Sequence, residues 1–185
     1  MNRSHNVFRL AASALLVAIG ILIPLIAPVK IPLGPAGSFT LASHVAIFLS
    51  MFISPVTAIA VALGTTLGFL LTTPFPIVLR ALTHLAWAAL GAFWLKRHPD
   101  ILYRPAASAI FCVVIAIVHA ALETAAIMIL FFGGMFADAG GLWLTVFLPV
   151  GVVTLIHSSV DYVIALLVWR PIRNLKSVRA IACVH

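Results

Sequence analysis

The sequence predicts an all-α integral membrane protein of six transmembrane helices, with both termini on the cytoplasmic side. Three observations carry that reading. The first is composition: of 185 residues, 64% are hydrophobic and only 8% are charged, and the mean hydropathy is +1.24. A soluble domain carries roughly 25% charged and 45–50% apolar residues. This chain has too little polar surface to face water, and lipid must be its solvent. The second is length. A helix needs about 20 apolar residues to cross a bilayer, and six apolar stretches stand out, at roughly 8–28, 41–53, 56–73, 75–95, 105–133 and 141–169. Together they fill a single membrane domain over 1–185. The third is the asymmetric placement of the basic residues.

The first stretch follows Arg3 and Arg9 and superficially resembles a signal peptide, but it is long enough to span and shows no clear cleavage site. The connection after it, 29–40, holds Pro32, Gly34, Pro35 and Gly37 and reads as a loop. Region 41–73 could be one long helix or two. Ser54-Pro55 lies at its middle, and proline pushes the residue before it out of the helical region. Topology decides for two helices. Cytoplasmic segments collect Lys and Arg, and with a break at Pro55 the inner side holds Arg3, Arg9, Lys96, Arg97, Arg104, Arg170, Arg173, Lys176 and Arg179. Only Lys30 lies outside and Arg80 within a span. Without the break the 96–104 loop moves outside and the asymmetry collapses. The second span, 41–53, is then short for a full crossing, and is expected to start inside the preceding loop or to be sheltered by its neighbours. The stretch GGMFADAGG separates the fifth and sixth spans as a glycine-rich loop. The net charge of +7 is accounted for by this topology and implies no nucleic-acid partner.

Ionisable residues inside spans cost several kcal/mol by insertion scales, at about 2.5–3.5 each, and face the bundle interior or a water-filled cavity. Here they are His44, Arg80, His84, His119, Glu123, His157 and Asp161. Arg80/His84, His119/Glu123 and His157/Asp161 are each four residues apart, so each pair shares a helical face. Trp87 extends the first face. With the N-terminus inside, Arg80, His84 and Glu123 fall in the outer half, His119 near the middle, and His157 and Asp161 deeper. His44, Ser38, Thr40 and Ser43 belong beside the first outer loop. A solute site facing outward is therefore expected from Ser38, Thr40, His44, Arg80, His84, Trp87, Glu123 and Trp143. Arg80 suits a carboxylate, because its planar fork can bond both oxygens.

Blander readings stand beside this one. Any intramembrane histidine could simply tie helices together, and His157/Asp161 looks the most structural because the pair can satisfy itself. Arg80, which cannot shed its proton, could be a salt-bridge partner of Glu123. Imidazole and carboxylate also suit zinc, nickel or cobalt, so metal uptake is a competing class. The HxxxE and HxxxD spacings lack an HExxH signature, and no metal and no cofactor are expected. Neither GxxxxGK[ST] nor GxSxG occurs, so the chain is expected not to be an enzyme and to bind no ATP itself. Cys112 and Cys183 form no CxxC pair and read as free thiols. Small residues at four-residue spacing, Ala14/Ala18 in the first span and Ala58/Ala62 and Gly64/Gly68 in the third, permit close helix approach in lipid.

The size, the six spans with both ends inside, AxxxA at Ala14/Ala18, and a long first outer loop leading into a polar helix start together resemble a known family. It is that of the substrate-binding S components of energy-coupling factor (ECF) vitamin transporters. The stretch GSFTLASHVAIFLSMFISPVTAIAVALGTTLGF, residues 37–69, looks most like members assigned to pantothenate or niacin uptake. The resemblance implies a multi-pass protein of a prokaryotic plasma membrane that captures a small water-soluble vitamin from outside. It also implies docking through Ala14 and Ala18 on a transmembrane coupling subunit that carries two ATPases, so that ATP hydrolysis belongs to partner chains. Between the two vitamins, pantothenate is the expectation and niacin the alternative.

Overall fold

The computed structural model describes residues 3–26, 30–32, 34–136 and 140–184. Residues 27–28, where the first span was expected to end, and 137–139 in the glycine-rich loop lie outside the described residues, as do the side chains of Arg3 and Lys30. Helix α1 runs Arg3–Ile26. Two short antiparallel strands follow, β1 (Lys30–Pro32) and β2 (Ser38–Thr40), joined through a 3₁₀ turn at Gly34–Ala36. Then come α2 (Val45–Ile53), α3 (Pro55–Thr72), α4 (Phe75–Arg97) and α5 (Pro105–Phe132). A π-helical stretch, Trp143–Val152, runs directly into α6 (Val153–Ile172), and the short α7 (Lys176–Arg179) lies near the C-terminal end.

Among the described residues, five segments are long and apolar enough to cross a membrane: His5–Ile26, Pro55–Thr72, Phe75–Arg97, Pro105–Phe132 and Trp143–Ile172. The expected second span is not a sixth of the same kind. Its helix has nine residues, about 13 Å of rise against a hydrocarbon core about 30 Å thick. The expected break is real. Ser54 is extended at φ −172°, ψ 159°, and its hydroxyl accepts the Thr57 amide to start α3, with Pro55 in the first turn where its missing N–H does no harm. Every residue of α2 is buried, and it packs against α1, α3, α4 and α6. It is a helical plug inside the bundle.

A short buried helix must find partners for its end groups. At the N-terminus of α2 the carboxylate of Asp161, from α6, accepts the Ala42 amide at 2.8 Å and the His44 amide at 2.9 Å. Ala42 is held at φ +69°, a left-handed conformation that costs a non-glycine residue about 1–3 kcal/mol. At the other end the Cys183 amide donates to Phe52 O at 3.3 Å, and the buried side chains of Ile181 and Val184 close the base. Arg9 of α1 donates to Ile181 O at 3.2 Å, tying the two chain ends together.

The small residues of α3 do different jobs. Ala58 and Ala62 are fully buried in the main core. Gly64 lets α1 approach closely: a Cβ there would lie 2.6 Å from Val17 Cγ2. Gly68 meets Ile21 in the same way, and Gly20 meets Thr65. In α1 itself, Ala14 and Ala18 face outward. Only 11% of its most apolar window is buried, against 39–44% in the other four spans.

Removing the cap of α2 tests this architecture. Asp161→Ala orphans the half-buried Ala42 amide and the buried His44 amide, an unsatisfied buried donor costing about 1–3 kcal/mol. The expected outcome is a clear fall in the thermal unfolding midpoint of the detergent-solubilised protein, and an unchanged midpoint would show that α2 does not depend on this carboxylate.

Candidate functional site

Four elements send polar side chains to one place, each through ordinary helical periodicity. From α4 come Arg80 and His84, one turn apart, and from α5 His119 and Glu123. From α6 come Thr154, His157, Ser158 and Asp161, all on the buried face. His44 enters from the start of α2. None of the seven ionisable residues is more than 8% exposed.

Glu123 is the hub. Its Oε2 accepts from Arg80 at 3.0 Å and from the Thr154 hydroxyl at 2.8 Å. Its Oε1 lies 3.3 Å from His84 Nε2 and 3.3 Å from His119 Nε2, the second outside hydrogen-bonding geometry. Arg80 also donates to Ala36 O at 3.3 Å, and its guanidinium sits 4.4 Å from the centre of the Phe39 ring. The 34–40 loop can come this close because Gly37 has φ +112° and a Cβ there would stand 2.9 Å from Ile77 Cγ1. The Arg80–Glu123 salt bridge read from the sequence is therefore present.

His157 and Asp161 do not stand apart as the sequence reading expected. His44 Nδ1 lies 3.2 Å from Asp161 Oδ2, as does His157 Nε2, and Ser43 Oγ lies 3.1 Å from His157 Nε2. The reason is that residues 36–44 dip into the bundle before α2 begins. His44 thus sits among the other histidines rather than at an outer rim. Its ring meets those of His84, His119 and His157 edge-on, at centroid distances of 4.9, 4.7 and 4.9 Å. His119 also stacks on Trp87 at 4.5 Å, and its Nδ1 lies 3.1 Å from Ser158 Oγ. Among the described residues, two groups of donors are close enough to hold a metal ion: His44, His84, His119 and Glu123, and His44, His157 and Asp161, each with ligand atoms within 4.8 Å of one another.

A cavity of about 410 Å³ opens beside this cluster, between α1, α3, α4 and the 37–44 segment. That is the size range of small-molecule sites, roughly 300–1,000 Å³. Of the residues expected to bind solute, Ser38, Thr40, His44, Arg80, His84 and Glu123 line it. Trp87 is fully buried behind the histidines and outside the lining. Trp143 is 61% exposed, packs on Phe147 and also lies outside the lining. An aromatic residue next to a glycine-rich loop looked near the pocket in sequence, but the π-helical stretch turns it outward. Missed in the sequence were the apolar walls Phe39, Ile47, Phe69 and Ile77, and Thr154 and Ser158, which steady Glu123 and His119. The last two share the 154/157/158/161 spacing with the histidine already noticed, and that spacing was the available signal.

The chain is 42% identical over 165 residues to the niacin transporter NiaX of Lactococcus lactis subsp. cremoris (strain MG1363), covering 89% of this chain and 74% of the relative. The chain belongs to the S components of ECF vitamin transporters. No family model matches it, and no solved structure matches it significantly. As an S component it is a multi-pass protein of a bacterial cell membrane, a binding part of a transporter rather than an enzyme. The relative is named for niacin, so the similarity favours the alternative vitamin over pantothenate.

The buried ion pair gives a prediction with an internal control. Glu123→Ala leaves the Arg80 charge buried without its partner, and truncating one member of such a pair costs about 3–5 kcal/mol. The double substitution Arg80→Met, Glu123→Leu removes both charges and should recover most of that loss in thermal unfolding. A double variant as unstable as Glu123→Ala would show that the cost lies elsewhere.

Proposed function

We propose that this chain is the niacin-binding S component of an ECF transporter, taking the vitamin from outside the cell into the cavity beside Arg80. The observation that carries this reading is the 42% identity, over most of both chains, to a niacin transporter. The chemistry of the cavity supports it. Niacin is a flat pyridine ring bearing a single carboxyl group. Phe39, Ile47, Phe69 and Ile77 offer apolar walls to a ring, and polar character concentrates at Arg80, His84 and Glu123. Arg80 is the cation that lines the cavity among the described residues. Pantothenate asks for partners to two hydroxyls and an amide as well as its carboxylate. Several hydroxyls at the cavity are already committed as donors: Thr65 to Val61 O and Ala62 O, Thr72 to Gly68 O, and Thr73 to Phe69 O.

The transport cycle we infer follows the family. The N- and C-termini lie on the cytoplasmic side, with α2 standing in for the second of six crossings. The basic residues of the 96–104 loop and the C-terminal segment then share that side. The outward face of α1, with Ala14 and Ala18 flanked by exposed Leu15 and Leu22, docks on the transmembrane coupling subunit, whose two ATPase partners drive delivery. Small residues there allow close helix–helix approach in lipid.

Calorimetric titration of the purified protein with niacin, nicotinamide and pantothenate tests the substrate. Tight binding of niacin with none of pantothenate is expected, and the reverse would overturn the assignment. For docking, Ala14→Trp should abolish co-purification with the coupling subunit while niacin binding persists. Retained co-purification would move the docking face elsewhere.

A further inference from the structure

Three imidazoles and a carboxylate converge beside the cavity, and hydrogen bonding among them accounts for only part of the arrangement. His119 is fully buried. Its Nδ1 is engaged by Ser158 Oγ at 3.1 Å, yet its Nε2 has no hydrogen-bond partner among the described residues while pointing to within 3.3 Å of Glu123 Oε1. His84 Nε2 lies at the same 3.3 Å from the same oxygen. The rings of His44, His84 and His119 are mutually close to perpendicular, at 80°, 81° and 88°. Neutral imidazoles that only tied helices together would be expected to satisfy both nitrogens. Here His44 Nδ1 and His119 Nδ1 are engaged by Asp161 and Ser158, whereas His119 Nε2 and His84 Nδ1 have no hydrogen-bond partner among the described residues.

We propose that His44, His84, His119 and Glu123 form a binding site for a divalent transition-metal ion of the zinc class at the polar corner of the vitamin cavity. Imidazole nitrogens and a carboxylate oxygen are the donor set that suits such an ion. Ligands about 2.0–2.1 Å from zinc in a tetrahedron stand about 3.3–3.4 Å from one another, and both histidine–Glu123 separations are 3.3 Å. The full group lies within 4.8 Å, so modest side-chain movement closes it. The outer shell is in place for His44, His119 and Glu123, while His84 Nδ1 has no partner among the described residues. Metal-bound histidines donate their second ring N–H to a carboxylate or another acceptor, which fixes the tautomer. Asp161 Oδ2 does this for His44 at 3.2 Å and Ser158 for His119. Arg80 and Thr154 hold Glu123 by Oε2, leaving Oε1 as the ligand. The ion also answers a question of charge. Arg80 is neutralised by Glu123, so an anionic carboxylate entering the cavity meets little net positive charge. A dication supplies it, and His44, His84 and Glu123 line the cavity directly.

This site rests on the four side chains and not on niacin being the vitamin. Its test is metal analysis of tag-free protein purified without chelators, followed by chelator stripping and titration with zinc and with cobalt. The expected result is stoichiometric retention of one ion, with visible absorption bands of low-coordinate cobalt after substitution. His84→Gln and His119→Gln should each lose the retained ion. Ser158→Ala, which removes only an outer-shell contact, should weaken affinity about 10- to 100-fold. His157→Gln probes the neighbouring donor group. If that variant lost the ion while His84→Gln kept it, the metal would belong to His44, His157 and Asp161, and the assignment would be overturned. Failure of folded wild-type protein to bind zinc or cobalt would falsify the site outright, whether or not niacin binds. Metal retention without niacin binding would leave the site standing and sink the choice of vitamin.

Discussion

An arginine cannot become neutral to escape a membrane interior, and Arg80 is 4% exposed. Much of the polar architecture answers that constraint. Glu123 supplies the opposing charge, Ala36 a carbonyl and Phe39 a ring face. The carboxylate in turn gathers Thr154, His84 and His119, so three helices and the 34–40 loop are drawn to one point. A salt bridge in a low-dielectric interior is weak evidence of net stabilisation, because desolvating two charges offsets most of their attraction. Retaining one in a chain this short of charge makes sense where the charges meet a solute.

A second carboxylate performs a different task with the same chemistry. Asp161 neutralises the partial positive charge at the start of α2 and accepts the Ala42 and His44 amides just ahead of it. It also orients His44. Glu123 therefore organises the site while Asp161 organises the element that delivers His44 to it, and the two are bridged by imidazoles. The cavity stands next to both networks, so a ligand at Arg80 is in contact with groups whose positions depend on the whole bundle.

The sequence made the helices legible because each long span carries its own signal of length and apolarity. The Ser54-Pro55 break was legible through local backbone sterics, and basic residues gave an expected orientation. What it could not show was depth. The shortness of 41–53 hinted at shelter by its neighbours, but nothing local showed that only nine residues would be helical or how deep they would sit. That is why His44 was expected at an outer rim rather than against Asp161. The polar residues that line the cavity could be picked out because ionisable groups are conspicuous in an apolar chain. Phe39, Ile47, Phe69 and Ile77 were not, because an apolar wall of a cavity and a lipid-facing residue look the same in sequence. Trp143 illustrates the converse: proximity to a loop said nothing about which way a π-helical segment would turn it.

The two caps of α2 come from far along the chain, Asp161 lying 117 residues beyond His44 and Cys183 131 residues beyond Phe52. A nascent chain emerging from the ribosome makes α2 well over 100 residues before these partners. Until α6 and the C-terminal segment have been inserted, this helix has neither end satisfied and is too short to hold a transmembrane position on length alone. Biogenesis must therefore keep the segment in waiting and seat it late, so that completion of the cavity waits on insertion of α6 and the 181–184 segment.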